Sequence, residues 1–106
     1  MITGAEAMVK CLEAEGITRI FGYPGVAIAP FYEGLYNSNI EHILVRQEQA
    51  AGHAASGVAR VSRKPAVCVT TSGPGATNLI TALATAYADS IPVVAITGQV
   101  SSDLVG

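Results

Sequence analysis

Apolar positions fall in two alternating rhythms along this chain. Ala5, Met8, Val9 and Leu12 recur at helical spacing behind Thr3-Gly4-Ala5-Glu6, a Thr and a Glu placed to satisfy each other's free amides at a helix start. Gly16 supplies a stop, which predicts a helix over about 4–15. Arg19-Ile20-Phe21-Gly22 then reads as a short strand, and Tyr23-Pro24-Gly25 turns the chain out of it. Pro30 fits a helix's first turn, with Phe31, Tyr32, Leu35 and Tyr36 as packing residues before Asn37-Ser38-Asn39. His42 to Val45 is the next strand. Residues 48–62 read as a helix with an apolar stripe of Ala51, Ala54, Val58 and Val61 and a polar one of Gln49, His53, Ser56 and Arg60. After Lys64-Pro65 comes Ala66-Val67-Cys68-Val69-Thr70, a strand apolar on both faces. Ser72-Gly73-Pro74-Gly75 opens a further helix expected to turn Leu79, Ile80, Leu83 and Tyr87 inward, and Val93 to Thr97 forms another apolar strand.

Strands thus recur at intervals of about 25 residues with helical segments between them, and the last two lack a polar face. That pattern predicts an α/β fold, an open doubly wound parallel sheet with helices on both faces. Residues 98–106 follow the fourth strand without a closing helix, so the sequence reads as stopping inside a larger sheet, with Val93 to Thr97 as an interior strand.

Composition narrows the classes. The 106 residues are 50% hydrophobic and only 13% charged, enough to form a core and few enough charges to suggest that part of the outside is covered by something larger. A net charge of −2 gives no electrostatic reason to expect nucleic acid or an anionic membrane. No apolar run is long enough to span a bilayer and no signal peptide is visible, which predicts a cytoplasmic protein. Cys11 and Cys68 lack metal-ligand spacing and sit in apolar segments, so both are expected as buried free thiols.

Ligands of open parallel sheets gather beyond the carboxyl ends of the strands, where this chain puts Tyr23-Pro24-Gly25, Arg46-Gln47-Glu48, Ser72-Gly73-Pro74-Gly75 and Gly98-Gln99. A dinucleotide fingerprint is not met, because Asn78 stands where the third glycine belongs, and no phosphate-binding G-x-x-x-x-G-K-[ST] occurs. A phosphate at the amino end of the Gly75 helix stays physically open. Glu48 has two readings. A carboxylate in a helix's first turn complements the helix dipole by about 0.3–1 kcal/mol and needs no further purpose. Yet Glu48, Gly52, Ala55 and Ala59 form a stripe of an acid followed by nothing bulky, along which a flat ring or another backbone could approach the acid. His53 has no second ligand at metal spacing and reads as a surface or interface residue. Arg60, Arg63 and Lys64 complement the end of their helix.

The stretches "FGYPG", "EQAAGHAASGVAR" and "TSGPGATNLITALATAYADSIPVVAITGQV" together resemble the amino-terminal, pyrimidine-binding domain of the large catalytic subunits of the acetolactate synthase family of thiamine-diphosphate enzymes. The resemblance spans essentially the whole chain, residues 1–106, as part of that domain. It implies that Glu48 is the carboxylate that hydrogen-bonds N1′ of the cofactor's aminopyrimidine, favouring the imino tautomer that takes the C2 proton of the thiazolium. It implies that Tyr23, Gly25, Pro74 and Asn78 line the pyrimidine pocket, with Gln99 close by. The implied reaction decarboxylates pyruvate and joins the two-carbon unit to a second 2-oxo acid, such as pyruvate or 2-oxobutanoate. Mg²⁺ at the diphosphate and FAD would be held by a carboxyl-terminal and a middle domain absent from these residues, in a homodimer or larger assembly with its active site between subunits and with room for a regulatory subunit. Val26, Gln47, Ser56, Val58 and Ser101 stand where the family more often has Gly, His, Asp, Tyr and Pro. Pyruvate oxidase, sulfoacetaldehyde acetyltransferase and glyoxylate carboligase share the same scaffold and glutamate. A non-catalytic assembly module would require neither Glu48 nor its small-residue stripe.

Overall fold

The structure is a computed structural model that describes all 106 residues. Its elements run α1 (Gly4–Ala14), β1 (Arg19–Tyr23), a 3-10 turn (Val26–Ile28), α2 (Ala29–Tyr36), β2 (Glu41–Leu44), α3 (Glu48–Ser62), β3 (Ala66–Thr70), α4 (Pro74–Thr77), α5 (Ile80–Ala88) and β4 (Val93–Thr97). A last 3-10 turn covers Ser102–Leu104. The strands form one parallel sheet in the order β2-β1-β3-β4, with Ile20 opposite both His42 and Val67, and Cys68 opposite Ala95. The expected α/β class and parallel sheet are both present.

Local chemistry accounts for the boundaries. Thr3 and Glu6 form the reciprocal cap read from the sequence: Glu6 N–H donates to Thr3 Oγ1 at 3.1 Å and Thr3 N–H to a Glu6 carboxylate oxygen at 2.8 Å. Helix α3 ends at Arg63, whose φ of 58° is the left-handed conformation that closes many helices. The segment from Pro74 to Ala88 bends: α4 ends at Asn78, and α5 restarts after Leu79. One continuous helix was the expectation, and the break places Asn78 at a corner instead of on a helix flank.

Two apolar layers sandwich the sheet. Val9, Ile28, Phe31 and Leu35 from α1, α2 and the 3-10 turn pack on Ile20, Val67 and Val69 from one side. From the other, Ala51, Ala55 and Ala59 of α3 with Leu79 cover Cys68 and Ala66. Alternate residues of β3 point to opposite layers, so every residue of that strand is buried. Strand β4 is half-covered: it pairs with β3 on one side, and its other side has no partner strand among residues 1–106.

Three helix faces differ from the sequence reading. In α3 the buried side is the small one, Ala51, Gly52, Ala55, Ser56 and Ala59, while Val61 of the expected apolar stripe is 88% exposed. In α5 the buried residues are Ala82 and Ala86, while Tyr87 is 90% exposed. Ile80 likewise faces outward. The reason is spacing: α3 lies so close to α5 and the sheet that only small side chains fit between them, so the larger apolar groups turn out. Cys11, expected inside, lies on the exposed side of α1, whereas Cys68 is fully buried; both are free thiols.

Candidate functional site

Because the sheet is parallel, its carboxyl ends bring together four exits: Pro24-Gly25 after β1, residues 45–47 after β2, Thr71 after β3 and Gly98 after β4. The exits are held to one another by backbone bonds. Val45 N–H donates to Gly22 O at 3.1 Å, and Gly98 N–H to Thr70 O at 3.0 Å.

Glu48 is the first residue of α3. Its helix is entered through Gln47, whose side chain caps nothing, and Glu48 does not fold back onto its own amides. Instead Asn78 Nδ2 donates to Glu48 Oε1 at 2.9 Å, across thirty residues of sequence. One carboxylate oxygen is thereby fixed by an amide at the α4–α5 corner. The side chain is half-buried, and Oε2 is left for another donor. The beginning of α3 thus presents an anchored carboxylate with one oxygen to spare, at the positive end of its helix dipole. Gln49 Nε2 donates to Gln47 Oε1 at 3.2 Å, while Gln49 Oε1 is a buried acceptor without a donor beside Glu48 in the chain.

The other sequence-named residues share the same end of the sheet in two groups. Pro74 begins α4 and Asn78 ends it, and Asn78 reaches Glu48. Tyr23 closes β1 with 41% of its surface exposed, and Gly25 leads into the 3-10 turn. Gln99 is exposed in the loop after β4, its Oε1 accepting from Val100 N–H at 2.9 Å. It lines an open groove of about 590 Å³ together with Val26, Ala27, Thr71 and Ser72. Sequence reasoning did not single out Thr71 or this groove. A β-branched residue between a buried strand and a Gly-Pro-Gly turn was the available signal.

The small stripe of α3 admits another backbone at close range, that of α5. A Cβ built on Gly52 would lie 2.5 Å from Ala82 Cβ, so Gly52 seats α5 against α3. At the far end of that contact Arg60 bonds Asp89 at 2.6 Å and Ser56 Oγ at 3.4 Å. His53 is exposed, and no group of three or more His, Cys, Asp or Glu side chains could hold a metal ion. On the opposite layer Tyr32 and His42 bond at 2.8 Å beside a hollow of about 250 Å³. Burial pushes the Tyr32 hydroxyl above its ordinary range and holds His42 below its own. No helix is long and apolar enough to cross a membrane.

The family described as thiamine pyrophosphate enzyme, N-terminal TPP binding domain, matches residues 2–106. The chain is 65% identical over 103 residues to a probable acetolactate synthase large subunit of Methanocaldococcus jannaschii, covering 97% of this chain and 17% of that protein. It is 57% identical over 105 residues to the acetolactate synthase isozyme 2 large subunit of Escherichia coli, covering 99% of this chain and 19% of that protein. An acetolactate synthase of Mycobacterium avium is 57% identical over 106 residues, with 17% of its length covered. The chain therefore spans less than a fifth of each of these relatives.

Proposed function

We propose, from the premise that the chain belongs to the thiamine pyrophosphate enzymes and matches their N-terminal TPP binding domain, that it supplies the pyrimidine half of the cofactor site of an acetolactate synthase. In this reading the chain is part of a longer catalytic subunit that decarboxylates pyruvate and transfers the two-carbon unit to a second 2-oxo acid, pyruvate or 2-oxobutanoate.

The observation that carries the reading is the Glu48–Asn78 pair at the carboxyl end of the sheet. The aminopyrimidine of thiamine diphosphate offers a ring nitrogen that needs a proton held against it, and Glu48 Oε2 is an acceptor with no competing partner. Asn78 keeps the carboxylate from rotating away, so the acid meets the ring at a fixed position and little reorganisation remains for the reacting state. Pro74 and Tyr23 would bound the ring, and Gly25 and Gln99 would border it from the β1 and β4 exits. When bound, thiamine diphosphate supplies the electron sink for carbon–carbon bond cleavage and formation. The chain's own task is to hold the proton at N1′ and to orient the ring.

These residues do not fit a diphosphate-bound Mg²⁺, since they offer no ligand cluster for a metal. In this reading Mg²⁺ and FAD belong to other domains of the subunit, and the site is completed by a second catalytic subunit, in a cytoplasmic homodimer or larger assembly that can carry a regulatory subunit. Glu48→Gln in the full-length enzyme tests the assignment, because Gln keeps the shape and the Asn78 contact surface but cannot stabilise a protonated ring nitrogen as a carboxylate does. Turnover at saturating thiamine diphosphate is expected to fall by about 10²–10⁴ with the thermal midpoint little changed. Turnover near that of the parent would overturn the role of Glu48.

A further inference from the structure

Thr71 is the first residue beyond β3, half-buried between the two glycine-bearing loops that frame the site. On one side is Gly25, in the exit from β1. A Cβ there would lie 2.5 Å from Thr71 Cβ and 2.7 Å from both Cγ2 and Oγ1. On the other side is Gly75, in the first turn of α4, where a Cβ would lie 2.7 Å from Thr71 Cγ2. One branched side chain therefore fills the volume that two glycines leave open, and it touches both backbones at once. A side chain at either glycine would have no room, so both backbones lie close against Thr71.

The two loops carry different parts of the site. The β1 exit carries Tyr23, and the α4 turn leads within three residues to Asn78, which holds Glu48. Thr71 thus lies between the loop that carries Tyr23 and the turn that leads to Asn78 and Glu48. We infer that Thr71 is a positioning residue for the aminopyrimidine ring: its γ-methyl wedges the Gly25 and Gly75 backbones apart at the spacing that lets the ring reach Glu48 while lying against the β1 exit. The inference rests on the function proposed above. The methyl does this by shape, not by hydrogen bonding, because Cγ2 is the atom that contacts both glycine positions.

Shape and polarity separate in two substitutions of the full-length enzyme. Thr71→Val keeps the branched wedge and loses the hydroxyl, whereas Thr71→Ser keeps the hydroxyl and loses Cγ2. Thiamine diphosphate affinity is read by calorimetry in excess Mg²⁺, beside kcat and the thermal midpoint of the cofactor-free enzyme. The Val variant should bind within about threefold of the parent. The Ser variant should bind about tenfold more weakly, with kcat reduced at saturating cofactor and the cofactor-free midpoint nearly unmoved, since misplacement by a fraction of an ångström is felt in the site before it is felt in the fold. Equal affinity and kcat in the Ser variant would overturn the wedge, and so would a Val variant as impaired as the Ser one. A parent enzyme that binds no thiamine diphosphate would instead overturn the functional reading, and this inference with it.

Discussion

Glu48 and Asn78 could be named from the sequence, but the 2.9 Å bond between them could not, because it depends on the break that makes a corner of the α4–α5 segment. Thr71 was illegible for a similar reason: its importance lies in what two distant glycines lack, and a one-dimensional pattern does not reveal that they face one side chain. The thiols show how a single periodic reading can divide. Both cysteines lie among apolar neighbours, yet only Cys68 is enclosed, and burial raises its pKa to about 11. Ellman's reagent at pH 8 should modify Cys11 promptly and Cys68 only after denaturation; two thiols reacting at one fast rate would contradict the packing of β3. His42 makes a pH prediction. Its folded pKa is held below the ordinary 6.5 by burial, so the unfolded chain takes up the proton first as pH falls. The neutral imidazole's contribution to stability is complete above about pH 6.5 and is lost progressively below it. The thermal midpoint should fall more between pH 7.5 and 5.5 in the parent than in His42→Asn, and equal slopes would remove His42 as a cause.

At the scale of elements, strands are legible in the sequence nearly residue for residue, and helix faces are less so. A buried parallel strand announces itself by an unbroken apolar run, as in Ala66 to Thr70, whatever its neighbours are. A helix face depends on how closely its neighbours approach, and α3 and α5 approach too closely for the usual rule that larger apolar residues turn inward. Val61 and Tyr87 were expected inside on that rule and lie outside. Two glycines of α3 turn this into a matched test. A methyl on Gly52 meets Ala82 Cβ at 2.5 Å, whereas a methyl on Gly57 meets nothing within 4 Å. Alanine at either position gains roughly 0.5–1 kcal/mol of helix propensity. At Gly52 overpacking costs about 1–3 kcal/mol and outweighs that gain. Gly52→Ala should therefore lower the thermal midpoint by several degrees, while Gly57→Ala should raise it. If both variants melted higher than the parent, the close α3–α5 contact would be wrong.

The whole molecule presents two unequal edges and one uneven surface, and these govern how the 106-residue chain should behave in solution. Strand β2 is a short edge guarded by charge, since Glu41 at its start is paired with Arg19 at 2.9 Å. Strand β4 is a five-residue edge, Val93 to Thr97, with no charged residue in it and Val94 45% exposed. Its outer row of amides and carbonyls faces no partner strand. Nearby on the same layer as α3 and α5, Val61, Ile80 and Tyr87 add apolar surface, and with only 13% of residues charged little repulsion keeps copies apart. An unprotected apolar strand edge pairs with another chain more readily than an exposed helix face does, because pairing also satisfies backbone hydrogen bonds. At tens of micromolar the chain should therefore sediment well above its 10.8 kDa, and Val94→Lys, which puts a charge on the open edge, should move it toward the monomer more than Tyr87→Ser does. A parent that sediments as a clean monomer would contradict the open edge as a source of association. Dissociation by Tyr87→Ser but not by Val94→Lys would place the contact on the helical face instead, where side chains alone hold the copies together.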